Sequence, residues 1–344
     1  MGTKIPQINR RRILLGILAA LAAAAWLVFR IPNFSSVPHP ARDYKDAIEK
    51  FSDVEKTESA LPLRPEGRSR LFTHGKKTDR VFVLLHGLTN CPEQFVPLAR
   101  ILFQSGANVV LPRARYAGYS DRMNDVQGLQ SGQDLLDQAA EGLDIAAGLG
   151  DRVTIVGLSG SAVAAAWMAE NREGIDSVLL LAPFFGLSGH PVWMIDSLAA
   201  ILTKAPNYYK WWKDDWKEKI PGPAYAYPRY GTFCMADTIQ LSRNVRAGMN
   251  NHPLQAGRMA IVTTGTDQGA NNILTAQLAA DWADRNSGQV MIFEFPEKDG
   301  VPHDLIDPNQ PDAKTRISYP RILELLRVPA PAFSPTTRDA AKGG

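Results

Sequence analysis

A chain of 344 residues with 45% hydrophobic content can bury a sizeable core, as one large domain with an insertion or as two domains. Its formal net charge of +3 is an N-terminal feature: residues 1–30 hold five basic and no acidic residues, and the other 314 hold 33 basic against 35 acidic. With no basic stripe beyond that point, composition argues against nucleic acid as a partner.

Residues 8–32 read "INRRRILLGILAALAAAAWLVFRIP", three arginines ahead of an uncharged run from Ile13 to Phe29. That run is apolar on all sides, and its 17 residues are at the short limit for a bilayer-spanning helix. Residues 1–30 are therefore expected to be a signal anchor, with the arginines cytoplasmic and the remainder periplasmic or at the cell surface. A cleaved signal peptide, leaving a secreted protein, is the alternative. The anchor is preferred because the run continues through Trp26, Leu27, Val28 and Phe29 beyond any small-residue cleavage site. The Arg10-Arg11 pair bears a weak likeness to a twin-arginine signal.

Residues 31–70 are polar and proline-bearing, a linker with one helix expected around Tyr44 to Val54. From there short β-rich runs recur: "VFVLL" (81–85), "ANVVL" (107–111), "VTIVG" (153–157), "SVLLLA" (177–182), "MAIVTTG" (259–265) and "VMIFEF" (290–295). Such runs suit strands buried on both faces of a parallel sheet. Between them lie helical stretches. The best is "SGQDLLDQAAEGLDIAAGLG", with Ser131 as N-cap, Leu135, Leu136, Ala139, Leu143 and Ala146 as an apolar stripe, and Gly148 and Gly150 as terminators. Alternation from 81 to about 327 predicts an α/β fold with a mostly parallel sheet and helices on both faces.

About 70 residues separate "LLLAPFFG" from "MAIVTTG", too many for an ordinary connection. Within this gap, residues 193–230 hold four of the seven tryptophans and five of the nine tyrosines. The segment from about 187 to 256 is expected to be a packed helical insertion whose aromatics form its own core. It would cap the carboxyl ends of the strands, where open sheets bind ligands. The domain proper is then 71–328, and 329–344 a flexible tail. Cys91 and Cys234 do not amount to a disulfide framework, and two free buried thiols are preferred over one bridge.

In "VTIVGLSGSA" a strand ends at Gly157, a sharp turn follows, and a small-residue helix begins, the setting that presents a serine oxygen at the top of a sheet. Ser159 is thus a candidate nucleophile, with a plain structural turn as the bland reading. Ser161 stands where the last glycine of G-x-S-x-G belongs, and its small size still lets the helix approach the sheet. A serine needs a base. His303 lies in "FEFPEKDGVPHDLI" after the last strand, on the correct edge, whereas His190 and His252 flank the insertion and suit structural roles. Asp267, just past a strand end in "VTTGTDQGANN", is the candidate acid; Asp304 is too close to His303 in sequence to orient it. The "LLHGLTN" turn offers the Leu88 N–H, which with the Gly160 N–H could receive developing negative charge. His86 itself reads as a turn-stabilising imidazole.

Together "VFVLLHGLTNCPEQF", "VVLPRARYAGYSDRM", "VTIVGLSGS", "GTDQGAN" and "PHDLI" resemble the α/β-hydrolases, of the capped carboxylesterase and monoacylglycerol-lipase-like kind, over roughly residues 70 to 328. The resemblance implies Ser159 as nucleophile, His303 as base, Asp267 as acid, and acyl transfer to water through an acyl-enzyme. Ser161 departs from the family pattern, as does "AGYSD", which replaces the glycine–histidine pair common in that loop. The expected partner is a small, uncharged acyl ester of short to medium length, and the membrane through the N-terminal helix. No metal or organic cofactor is expected, and nothing in the pattern sets an oligomeric state. A peptidase or acyltransferase using the same three residues is the alternative, and a non-catalytic binding protein on this scaffold is the alternative from another class.

Overall fold

The computed structural model describes residues 14, 15, 18, 22, 23, 25, 26, 28–249, 253–286 and 288–329. The expected anchor falls largely outside them; its described side chains Leu14, Leu15, Leu18, Trp26 and Phe29 are exposed. Among the described residues no helix is long and apolar enough to cross a membrane. His252 and the expected tail beyond residue 329 also lie outside the described residues.

In chain order the elements are α1 (Tyr44–Ser59), β1 (Arg70–Phe72), β2 (Thr78–Leu85), α2 (Val96–Gln104), β3 (Asn108–Leu111), α3 (Gly132–Leu149), β4 (Gly150–Leu158), α4 (Gly160–Asn171) and β5 (Ser177–Leu181). They continue with α5 (Val192–Leu202), β6 (Tyr209–Trp211), β7 (Arg229–Gly231), α6 (Thr232–Gly248), β8 (Met259–Thr264), α7 (Asn272–Arg285), β9 (Val290–Phe295) and α8 (Thr315–Leu325). Seven strands form the main sheet in the order β1-β3-β2-β4-β5-β8-β9. All neighbours are parallel except β1, which runs antiparallel to β3. Each apolar run divides by alternate residues between two core layers. Val81, Val83 and Leu85 of β2 join the core beneath α1, α3, α4 and α6. Phe82 and Leu84 join the other, with Leu98 and Leu102 of α2 and Ile322 and Leu323 of α8.

Residues 31–70 are not a free linker. Phe34, Ala41, Ala47 and Phe51 belong to the main core, and the Ala41 N–H donates to the Asp144 carbonyl at 2.8 Å. Buried Glu58 at the end of α1 accepts from Ser69 Oγ (2.6 Å), the Ser69 N–H (2.9 Å) and Arg113 Nε (3.0 Å), locking this segment to the strands. The expectation failed because the stretch is polar overall and its few apolar side chains matter only once α3 is beside it.

Ser131 caps α3 as expected, in a capping box with Asp134. Gly148, expected as a terminator, lies inside the helix, where a Cβ would stand 2.2 Å from the Asp43 carbonyl oxygen; it is a contact point for the start of α1. β1 was not anticipated, being three residues long.

Between β5 and β8 the insertion is mixed: α5, the hairpin β6–β7 and α6. Its small core is mostly aliphatic, with Ile195, Ala199, Ala236 and Ile239 around Phe184 and Ala270. The expected aromatic core is not there. Trp193, Tyr208 and Trp212 are exposed, whereas Tyr225 and Tyr227 are buried against the main domain. Both cysteines are buried and unbridged, and burial pushes both thiols up to about 12.

The contact that sets the geometry of the site is between β4 and α4. A Cβ on Gly157 would lie 2.6 Å from the Ser161 carbonyl oxygen and 2.7 Å from Ala162 Cα, both backbone atoms that cannot move aside. Gly157→Ala should therefore cost about 1–3 kcal/mol of stability by forcing strand and helix apart, read as a lower midpoint in urea unfolding.

Candidate active site

Ser159 sits between β4 and α4 with φ 58° and ψ −118°, a strained backbone for a residue with a Cβ. Three hydrogen bonds hold it there. Its N–H donates to the Leu181 carbonyl at 2.9 Å, and its carbonyl accepts from the N–H groups of Ala162 (3.1 Å) and Phe184 (3.2 Å). The side chain lines a cavity of about 640 Å³ at the carboxyl ends of the strands.

His303 and Asp267 reach the same cavity from the loops after β9 and β8. His303 Nδ1 meets Asp267 Oδ2 at 2.5 Å, which leaves Nε2 as the free ring nitrogen. The other carboxylate oxygen, Oδ1, accepts from the N–H groups of Gly269 (2.8 Å) and Ala270 (3.0 Å), so the Asp267 side chain is oriented from both ends. That side chain is 2% exposed against 37% for His303. Burial disfavours the charged His303 ring, but the hydrogen bond and charge of Asp267, helped by Asp304, outweigh it and hold the pKa above its ordinary value. Burial pushes the Asp267 carboxyl up, yet the bond and charge of His303 and the two N–H groups bring it below the usual range. Asp304 does not meet the Nδ1 of its neighbour; its Oδ2 instead accepts from Gln94 Nε2 at 2.8 Å.

Most polar groups of the turn after β2 are engaged within the structure, but among the described residues the N–H groups of Leu88 and Thr89 are not. His86 Nε2 accepts from the Ala114 N–H at 3.1 Å and Nδ1 donates to the Gly87 carbonyl at 2.9 Å. Buried between them, the ring is neutral, its pKa pushed down to about 4, a structural imidazole as the sequence suggests. The Leu88 carbonyl accepts from Gln127 Nε2 at 3.1 Å. The Leu88 N–H donates to nothing among the described residues, and neither does the N–H of Gly160, the first residue of α4. Both residues line the cavity.

Ser161 does more than stay small. Fully buried, it donates from Oγ to the His86 carbonyl at 2.6 Å, tying the serine turn to the turn after β2. Its spacing from Ser159 marked the position, but nothing local revealed the partner 75 residues away. His190 lies apart, its Nδ1 on the Ser188 carbonyl at 2.8 Å. Gln94, buried between the turn and the histidine loop, lies within "VFVLLHGLTNCPEQF" but carries no role there from sequence, since its partner Asp304 is 210 residues away. The apolar part of the cavity wall includes Phe184, Leu187, Trp212, Trp216, Tyr230 and Met235, with Lys213 and Asp312 also in the lining. Among the described residues no group of three or more His, Cys, Asp or Glu could hold a metal ion.

A doubly covered, mostly parallel sheet with a strained serine at a strand–helix turn and a histidine–aspartate pair beyond later strands is the α/β-hydrolase fold. The model of the family described as serine aminopeptidase, S33, matches residues 76–264, more than half of the chain, and the chain belongs to that family of α/β-hydrolases. Similar solved structures include a metagenome-derived lipolytic enzyme of the LipS and LipT pair (14% identity, TM-score 0.57, covering 77% of this chain and 99% of that one). The monoacylglycerol lipase of Paleococcus ferrophilus is similar at 17% identity and TM-score 0.56, covering 75% and 97%. A soluble variant of monoglyceride lipase from Saccharomyces cerevisiae, in complex with a substrate analogue, aligns at 14% identity and TM-score 0.58, covering 77% and 92%. At such identities the likeness is one of fold. No curated protein matches the chain by sequence.

The electrostatics give a direct test. Followed by NMR, the His303 ring should titrate above the ordinary imidazole value of about 6.5. In Asp267→Asn it should titrate lower, because burial then acts without the opposing charge. An unchanged His303 titration in that variant would contradict the pairing.

Proposed function

We propose that the protein is a serine esterase that cleaves small carboxylic esters through Ser159, His303 and Asp267. The observation that carries this reading is the His303–Asp267 hydrogen bond of 2.5 Å in the cavity that Ser159 also lines. His303 Nε2 takes the Ser159 proton, Ser159 Oγ attacks the ester carbonyl, and Asp267 holds the imidazole in the required tautomer. The oxyanion rests on the N–H groups of Leu88 and Gly160, which have no other partner among the described residues. The tetrahedral intermediate collapses with His303 protonating the leaving alcohol. Water, activated by the same imidazole, then releases the acid.

The apolar part of the wall favours an uncharged acyl group of short to medium length, since its aromatic and aliphatic side chains gain from covering a hydrocarbon chain. The lipases among the structural neighbours fit this substrate class. Aryl or glyceryl esters should be cleaved faster than anilides of the same acid; the reverse order would make the protein a peptidase. Ser159→Ala and His303→Ala should each lower kcat by roughly 10⁴-fold or more, with the double variant little worse, because the residues act as one unit. Full activity in a folded Ser159→Ala protein would sink the proposal.

The N-terminal run is read as an anchor that keeps the catalytic domain outside the cytoplasm. Its support is the arginine cluster ahead of Ile13–Phe29 and the exposure of the side chains described there. On fractionation the full chain should stay with membranes through a carbonate wash, and deletion of residues 1–30 should release an active protein. A full chain found wholly in the soluble fraction, with its N-terminus intact, would rule the anchor out.

A further inference from the structure

Gln94 lies in a short 3₁₀ turn (Pro92–Phe95) at the start of α2 and is 3% exposed. Its amide spans two loops that are far apart in sequence. Oε1 accepts from the Gly87 N–H at 2.8 Å, and Nε2 donates to Asp304 Oδ2 at 2.8 Å. The assignment of the two amide atoms is forced, because the Gly87 N–H can only donate and Oε1 must face it. Asp304 is in turn fixed on both oxygens. Gln310 Nε2 donates to Oδ2 at 3.1 Å, and the N–H groups of Ile306 (3.4 Å) and Asp307 (3.2 Å) reach Oδ1.

We infer that Gln94 is a positioning residue that sets the oxyanion-binding turn and the histidine loop relative to each other. This rests on the serine-esterase reading. Gly87 precedes Leu88, whose N–H is one of the two donors assigned to the oxyanion, and Asp304 follows His303. A single buried amide therefore holds the residue before one reactive group and the residue after another. The Gln94 amide bonds Gly87 and Asp304 and makes no hydrogen bond to Ser159 or His303, so its effect is on where the Leu88 N–H and His303 Nε2 stand. Displacements near 1 Å at such groups change rates about 10²-fold, and the oxyanion contact is realised in the transition state, so the loss belongs in kcat more than in KM.

The test uses the full-length protein with an ester substrate, alongside Ser159→Ala. Gln94→Met keeps the volume and removes both hydrogen bonds; it should lower kcat at least ~10-fold and leave KM within about threefold. Gln94→Glu sets a carboxylate against Asp304, and Asp304→Asn sets an amide N–H₂ against the Gln94 one, so each single variant should also lose kcat. The reciprocal swap Gln94→Glu with Asp304→Asn restores both bonds, the Gly87 one unchanged and the other reversed. The Gly87 N–H and the introduced amide N–H both donate to the new carboxylate, and the Gln310 amide turns so that its Oε1 accepts the second amide proton. It should recover kcat to within about threefold of the native protein. Three results would overturn the inference alone, each seen while the native enzyme shows Ser159-dependent turnover. These are a Gln94→Met kcat within twofold of native, a loss confined to KM, and a swap no better than its worse parent. A native protein with no Ser159-dependent esterase activity would take down the esterase reading and this inference together.

Discussion

The structure depends on the close approach of a strand and a helix at Gly157. Because no side chain separates β4 from α4 there, the connection between them must turn within one residue, and that residue, Ser159, takes a left-handed backbone. The strain is sustained by three backbone hydrogen bonds, two of them to β5 and the segment after it. The same turn leaves the Gly160 N–H at the start of α4 without a helical partner. One steric constraint thus exposes the side-chain oxygen and supplies an adjacent hydrogen-bond donor.

A second donor requires a second turn held against the first, and here the departure from the usual glycine pattern acquires a role. Ser161 bonds the carbonyl of His86, His86 bonds the loop after β3 through Ala114, and Gln127 secures the Leu88 carbonyl. With those groups occupied, the N–H of Leu88 is left without a partner among the described residues, at the edge of the cavity. A glycine at position 161 would satisfy the sterics of the helix–sheet contact but would leave the His86 carbonyl without this buried partner.

What could be read from the residues was local in origin. The six main strands and the Ser131 cap follow from periodicity and capping chemistry that act within a few residues, and the order of serine, aspartate and histidine follows from their places at strand ends. What could not be read depends on neighbours distant in sequence. Gly148 has the composition of a helix stop but is a contact with Asp43. Residues 31–70 have the polarity of a linker but carry Phe34 and Phe51 into the core. The aromatics of the insertion have the density of a core, yet several face the cavity or solvent, because the insertion packs on a few aliphatic residues instead.

The insertion is also fastened to the loops it covers. The Tyr227 N–H donates to the Thr89 carbonyl at 2.9 Å, and Trp212 Nε1 to Thr89 Oγ1 at 3.1 Å, just beyond the Leu88 turn. Tyr225 Oη donates to the Asp307 carboxylate, 2.8 Å from the nearer oxygen, on the loop that carries His303. The aromatic side chains that look like packing from composition alone are polar ties at one end and cavity wall or buried surface at the other. A rigid-body displacement of the insertion would break bonds to both loops at once. The geometry of the insertion and that of the two loops are therefore a single mechanical unit, and the shape of the cavity is set by the same contacts that position His303 and the Leu88 N–H.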